Sequence, residues 1–261
     1  MHALVRVLAH RCPPVALVKG RVRAACGNVC RRWVSMRPPI TRRAYQSSST
    51  AKDHQPAVGQ RYGLSPAHTG FGRVGHWFGS ERCDIRPDII TMAKGLSSSY
   101  AAIGGVVATD KVMEPFLGAT SMFSHGITFG GHPVMSAIAL KNIEIMKRER
   151  IIEHVRENEA AFRSTLAQLL DLPIVGDLRG TGYLYALELV KDRDTRETFS
   201  DEECERLLRG YLSNALFDAG LICRADDRGD PVLQISPPLV AGQAEFDEIV
   251  GILGEVLTRA T

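Results

Sequence analysis

A lysine, a threonine and the glycines beside them are the residues whose types and spacing could do chemistry. The run Asp88-Ile89-Ile90-Thr91-Met92 is short, apolar and partly β-branched, which predicts a buried strand that ends at Ala93-Lys94-Gly95. An amine held at such a strand end in a partly dry pocket becomes nucleophilic, because desolvation disfavours its charged form. Gly95 would let backbone or a ligand approach it closely. Taken alone, an Ala-Lys-Gly tripeptide more often marks a solvated surface lysine. Further along, Thr128 precedes Gly130-Gly131 and a helical pattern opening at Pro133. A hydroxyl, a flexible backbone and the positive end of a helix dipole together make an anion seat. The simpler reading is a glycine turn whose threonine supports the bend. His125 and His132 flank this segment without a carboxylate at recognisable spacing, and are read as structural.

The elements that must position these residues follow from periodicity. Gly70, Gly72, Gly75 and Gly79 predict a set of tight turns. Gly104 to Thr109 is a second apolar run of strand type, after which Asp110 is placed to cap a short helix reaching Phe116. Pro133 at a first helical position opens a helical pattern that continues to Leu170 as two helices joined near Arg148 to Arg150. Gly182 to Val190 alternates as a strand, and Ser200 with Glu203 forms a capping-box pattern before a helix that stops at Gly220. Val232 to Ile235 predicts another strand, and Phe246, Ile249, Val250, Leu253 and Leu257 mark a closing amphipathic helix. This mixed order predicts an α/β or α+β layered architecture without internal repeats.

With 261 residues, of which 44% are hydrophobic, the chain can bury a substantial core, and its net charge of +3 creates no field that argues for nucleic acid or an acidic partner. Charge is unevenly placed, however. Every basic residue from Arg6 to Arg43 precedes the first acidic one, Asp53, and the head ends in Ser47-Ser48-Ser49-Thr50. That composition suits an organelle transit peptide, a disordered or misassigned start, or a basic arm for phosphates with Trp33 and Tyr45 as its aromatic platforms. Arg6 and Arg11 interrupt any apolar centre of a secretory signal, and no run approaches the roughly 18 apolar residues of a membrane span. The scattered cysteines do not suggest a disulfide framework, and Cys26 and Cys30 lack the second ligand pair of a zinc site.

Five motifs in order and in register carry a resemblance: Thr69-Gly70-Phe71-Gly72-Arg73, Ile90-Thr91-Met92-Ala93-Lys94-Gly95-Leu96, His125 to Pro133, Arg179-Gly180-Thr181-Gly182, and Ser236-Pro237-Pro238-Leu239. Together they resemble class III aminotransferases, which depend on pyridoxal 5'-phosphate (PLP). The resemblance begins at about Thr69 and corresponds to the latter half of a full-length member. It implies an α/β chain of PLP-transferase fold type I, with a partial large domain carrying an incomplete mixed sheet and a C-terminal α/β small domain. The implied boundaries are a basic head at 1–60, the C-terminal portion of the PLP-binding domain at 61–135 and the small domain at 136–261.

The resemblance also implies roles. Lys94 would be the catalytic lysine that binds PLP as a Schiff base and moves the substrate proton, Thr128 would bind the PLP phosphate of a neighbouring subunit, and Arg224 would clamp a substrate carboxylate. It implies a homodimer with shared active sites, amine or ω-amino acid and keto acid substrates such as pyruvate, no metal, and neither nucleic acid nor membrane as partner. The expected compartment is cytoplasmic, or mitochondrial if the head is a transit peptide. One departure bears on mechanism. The aspartate that pairs with the pyridine nitrogen in the family is replaced by Ser65, followed by Pro66, and no carboxylate is supplied there. The upstream phosphate loop and ring-stacking segments are not visible before Thr69. The alternative expectation is therefore a truncated, inactive fragment that acts through binding or association.

Overall fold

The computed structural model of the protein describes residues 63–64, 68–118, 122–124, 126–195, 197–225 and 231–260. Among these, the segments up to Phe71 and from Phe78 to Glu149 form one compact unit, and Gly72–Trp77 with the residues from Arg150 onward form a second. The head, including Cys26 and Cys30, lies outside the described residues, as do Ser65, Pro66 and His125.

In the first unit three short strands pair: β1 (Gly63–Leu64), β2 (Ile89–Met92) and β3 (Gly105–Ala108). β2 lies between the other two, parallel to β1 and antiparallel to β3, so the sheet is mixed. Its register sets Ile90 opposite Val107 and Met92 opposite Gly105. The short helix expected after β3 is present as an α-helical turn at Asp110–Met113, continued by a 3-10 turn at Glu114–Phe116. Asp110 does not cap it. Thr109 holds that place without a side-chain bond, leaving the Asp110 carboxylate in the first turn, where it complements the dipole. α1 (Pro133–Arg148) begins with Pro133 as expected, burying Ala139 and Met146 while Val134 and Leu140 remain exposed. Arg150, in the left-handed conformation at φ 53°, ends the run and starts α2 (Ile151–Ala167). Residues 136–149, grouped with the C-terminal domain by the sequence-based boundary, thus fall in the first unit.

The second unit is built on a four-stranded antiparallel sheet in the order β4 (Val175–Thr181), β5 (Leu184–Leu189), β7 (Val232–Ile235) and β6 (Arg224–Ala225). The strand expected at Gly182 to Val190 is present as β5, and it is the second arm of a hairpin whose first arm, β4, was not expected: Gly182, at φ 57°, turns β4 into β5. A Cβ at Gly182 would sit 2.5 Å from Val74 Cα, so close backbone approach requires glycine there. The Ser200–Glu203 capping box is present at α3 (Asp201–Glu205). The predicted continuous helix instead widens into a π-helical stretch at Arg206–Leu212 before α4 (Ser213–Asp218). α2 and the closing α5 (Gln243–Thr258) pack in the core with the sheet, joined by Cys204, Leu208, Leu212 and Leu216 of the α3–α4 segment. Phe162, Tyr183, Tyr185 and Phe246 are essentially inaccessible and interlock, with ring centroids of Phe162 and Phe246 at 4.6 Å and of Tyr183 and Phe246 at 5.4 Å. Fully burying each such side chain contributes roughly 1.5–3 kcal/mol. Among the described residues, Cys204 and Cys223 are not joined in a disulfide, whereas Cys83 is disulfide-bonded, which its spacing did not signal.

Candidate active site

β2 delivers Lys94 as expected. Its last residue, Met92, is buried; Ala93 stays extended; and the chain then turns sharply through a 3-10 segment, Lys94–Leu96. Lys94 adopts φ 48°, a left-handed conformation uncommon for a residue with a Cβ. The side chain is exposed, and its Nζ lies 2.8 Å from His68 Nε2. Gly95 is needed in this turn, because a Cβ there would lie 2.7 Å from the Phe71 Cβ. The segment running from His68 to Phe71 therefore meets the Lys94 turn at two points. On the turn's C-terminal side, Asn142 of α1 donates from Nδ2 to the carbonyls of Gly95 at 3.0 Å and Leu96 at 3.2 Å, and its Oδ1 accepts from the Ser98 hydroxyl at 2.8 Å.

Thr128 is exposed in the turn that leads into α1. Gly130 N–H donates to Ile127 O at 2.9 Å, His132 N–H donates to Phe129 O at 3.2 Å, and Gly131 takes φ 70°. Pro133 then begins the helix, so the threonine hydroxyl stands just ahead of a helix N-terminus, as expected. His132 keeps a buried Nδ1 with no hydrogen-bond partner among the described residues.

Arg224 lies in the second unit, on the edge strand β6 rather than in a loop, paired across from Gln234 of β7. It is exposed. The preceding Cys223 thiol donates to the Gln234 carbonyl at 3.3 Å, and burial pushes its pKa up to about 11, so it is held as a thiol. Two shallow depressions of about 360 and 380 Å³ also occur in the second unit; neither is lined by Lys94, Thr128 or Arg224.

Sequence reasoning missed three residues. His68 and Asn142 act at the Lys94 turn from 26 and 47 positions away, a separation that local patterning does not encode. Arg73, read only as the end of a motif, binds the carbonyls of Tyr183 and Pro237, while its own carbonyl accepts from Tyr183 N–H at 2.8 Å. Three of the recognised motifs thereby converge on one guanidinium: Thr69–Arg73, the hairpin at Gly182 and the Pro237-Pro238 segment. Burial lowers the Arg73 pKa from its usual value. Among the described residues there is no cluster of metal-ligating side chains, and no helix is long and apolar enough to cross a membrane.

A lysine turn at the end of a strand in a small mixed sheet, together with a separate α/β unit, corresponds to part of the type I PLP-transferase fold. Residues 67–257 match the family model for class III aminotransferases, and the chain belongs to that family. It is 55% identical over 188 residues to a probable aminotransferase, Rv3329, of Mycobacterium tuberculosis, covering 72% of this chain and 40% of the relative. It is 43% identical over 191 residues to the putrescine–pyruvate aminotransferase of Pseudomonas aeruginosa, covering 73% and 40% respectively. Among solved structures it superposes at TM-score 0.70 and 35% identity on an (S)-enantioselective omega-transaminase from Thermomicrobium roseum, covering 76% of this chain and 43% of that one. The chain thus spans about 40% of the length of these curated relatives.

Proposed function

We propose that this chain is a PLP-dependent transaminase that moves an amino group from a primary amine or ω-amino acid to a keto acid such as pyruvate, with Lys94 as the covalent anchor of the cofactor. The observation that carries this reading is the setting of Lys94: an accessible amine at the end of β2, on a turn that Phe71 and Asn142 hold, within a family match running from 67 to 257. The putrescine–pyruvate relative supports an amine donor and pyruvate as acceptor.

The residues present fit their share of the cofactor. PLP, when bound, supplies the electron sink for loss of the substrate Cα proton. Lys94 Nζ takes that proton and returns it, and the imidazole of His68 holds the amine at 2.8 Å. Thr128, with Gly130 and Gly131 ahead of the α1 N-terminus, offers a phosphate seat, which we assign to a neighbouring copy in a homodimer. Arg224 presents a planar guanidinium on the β6 edge that suits a substrate carboxylate. We place the chain in the cytoplasm, with mitochondrial import through the basic head as the alternative; cell fractionation separates them.

A second reading is an inactive chain that acts through association. It is favoured by Ser65 in the place of the family carboxylate and by the exposed apolar side chains of the first unit, among them Phe116, Leu117, Met122, Phe123 and Phe129. Purified protein with PLP should give a borohydride-stable adduct that peptide mapping places on Lys94, and Lys94→Ala should abolish it together with pyruvate-dependent transamination. Absence of that adduct sinks the transaminase reading; sustained turnover by the chain alone sinks the second.

A further inference from the structure

We infer that Asn142 is the positioning residue that sets the Lys94 amine in its working place. This deepens, and rests on, the reading of Lys94 as the cofactor anchor. Lys94, Ser98 and Ser99 have φ of 48°, 48° and 65°, so three residues with side chains occupy the left-handed region within one short segment. Each such residue is disfavoured by about 1 kcal/mol or more, and the conformation persists only where its surroundings hold it. Internal bonds do part of this: Ser97 N–H and Ser99 N–H both donate to Lys94 O, at 3.2 and 3.4 Å. The carbonyls of Gly95 and Leu96 are not used within the turn and instead accept from the Asn142 Nδ2.

The amide suits this place in both its halves. Its NH2 faces two acceptors, the Gly95 and Leu96 carbonyls, while its oxygen faces a donor, the Ser98 hydroxyl. Nδ2 also lies 3.7 Å from Met146 Sδ. One side chain therefore holds the backbone at residues 95 and 96 and the hydroxyl of Ser98, immediately after Lys94, from a 16-residue helix that cannot easily follow a local shift. Asn142 does not touch the lysine amine. It acts by fixing the backbone from which that amine projects.

An aspartate of nearly the same shape would turn a carboxylate toward two carbonyl oxygens, so Asn142→Asp is the discriminating variant. Ser98→Ala removes only the bond to Oδ1. The full chain is treated with limiting PLP and then borohydride, and modification of Lys94 is measured against the exposed Lys111, with melting temperature followed in parallel. In the wild type Lys94 is modified preferentially. In Asn142→Asp the ratio of Lys94 to Lys111 falls about tenfold with a moderate drop in melting temperature, and in Ser98→Ala the ratio falls about twofold while the melting temperature shifts little. A clasp that merely stabilises the fold would lower the melting temperature and leave the ratio unchanged. An Asn142→Asp protein with the wild-type ratio overturns the inference and leaves the Lys94 reading standing. A wild type without preference for Lys94 overturns both. Should Asn142→Asp not fold, the ratio in Ser98→Ala decides: a reduced ratio supports the inference and an unchanged one overturns it.

Discussion

The two compact units hide their apolar side chains to different degrees. In the second, a contiguous cluster running from Val155 to Leu257 is buried between α2, α5, the α3–α4 segment and the four-stranded sheet, and the large apolar side chains exposed there among the described residues are Phe217, Ile222 and Val240. In the first, Val106 and Val107 of β3 are 58% and 38% exposed although neighbouring residues of a strand point to opposite faces. Both faces of that sheet are apolar at β3, and both are only partly covered there among the described residues. A strand apolar on both sides is the pattern of a sheet interior layered by helices. The difference teaches that the second unit satisfies its own hydrophobic demand, while the first has the residue pattern of a larger sheet. The share of the relatives that the chain spans, about 40%, agrees with this.

The largest expected effect breaks the comparison most directly. Phe162→Ala removes a fully buried ring that packs on Tyr183, Tyr185 and Phe246, and should cost about 3–5 kcal/mol of unfolding free energy. Phe123→Ser, at a ring 49% exposed in the first unit, should stay within about 0.5 kcal/mol while lowering self-association. Denaturant unfolding and light scattering on the two variants test the pair. Equal destabilisation by both would erase the contrast between the units.

Tyr183 gives the next effect down. Its hydroxyl donates to Ala241 O at 2.8 Å in the core, and burial pushes its pKa up to about 12, with the Glu245 charge adding to the shift. The folded state keeps the phenol neutral where the unfolded chain has begun to ionise. Its contribution is therefore complete below about pH 10 and is lost as pH rises toward 12. Tyr183→Phe should cost about 1–2 kcal/mol at neutral pH by leaving the Ala241 carbonyl without this donor. It should also flatten the loss of stability between pH 10 and 12, followed by thermal melts; an unchanged alkaline slope would remove Tyr183 from the account.

How much of this was legible in the sequence depended on whether the information was local. β2 and β3, the Pro133 helix start, the break near Arg150, the capping box and the closing helix all rest on signals within a few residues, and all are present. β4 was missed because Gly176 and Gly180 dilute its apolar alternation, and β6 because two residues make no pattern. The π-helical stretch escaped notice because Leu207, Leu208, Tyr211 and Leu212 suit an ordinary amphipathic helix equally well. The strand end at Lys94 was readable; its neighbours His68 and Asn142 were not, since only the folded chain brings them together. Arg73 is the extreme case, with partners 110 and 164 residues away.

The smallest effect sharpens the comparison at a helix end. In the second unit, Glu203 accepts from Ser200 N–H at 2.8 Å and pairs with Lys191 at 2.8 Å, while Ser200 Oγ accepts from Glu203 N–H. The start of α3 is thus satisfied locally. The first unit's turn at Asp110–Met113 has no side-chain cap. The Lys191 ammonium, followed by the Ser200 bonds, draws the Glu203 pKa down from 4.5 to about 2. A depressed carboxylate stabilises the fold above its ordinary pKa and loses that contribution as pH falls through the folded value. Glu203→Gln keeps an acceptor for Ser200 N–H but loses the charge, so it should melt slightly below the wild type at neutral pH. The gap should narrow between pH 4.5 and 2, where the wild-type carboxylate takes up its proton. A gap that persists unchanged at the acid end would assign the effect to side-chain shape rather than charge. The local satisfaction of α3 would then rest on the Ser200 hydroxyl alone, and the contrast between the two units at their helix starts would shrink to the presence or absence of a single cap.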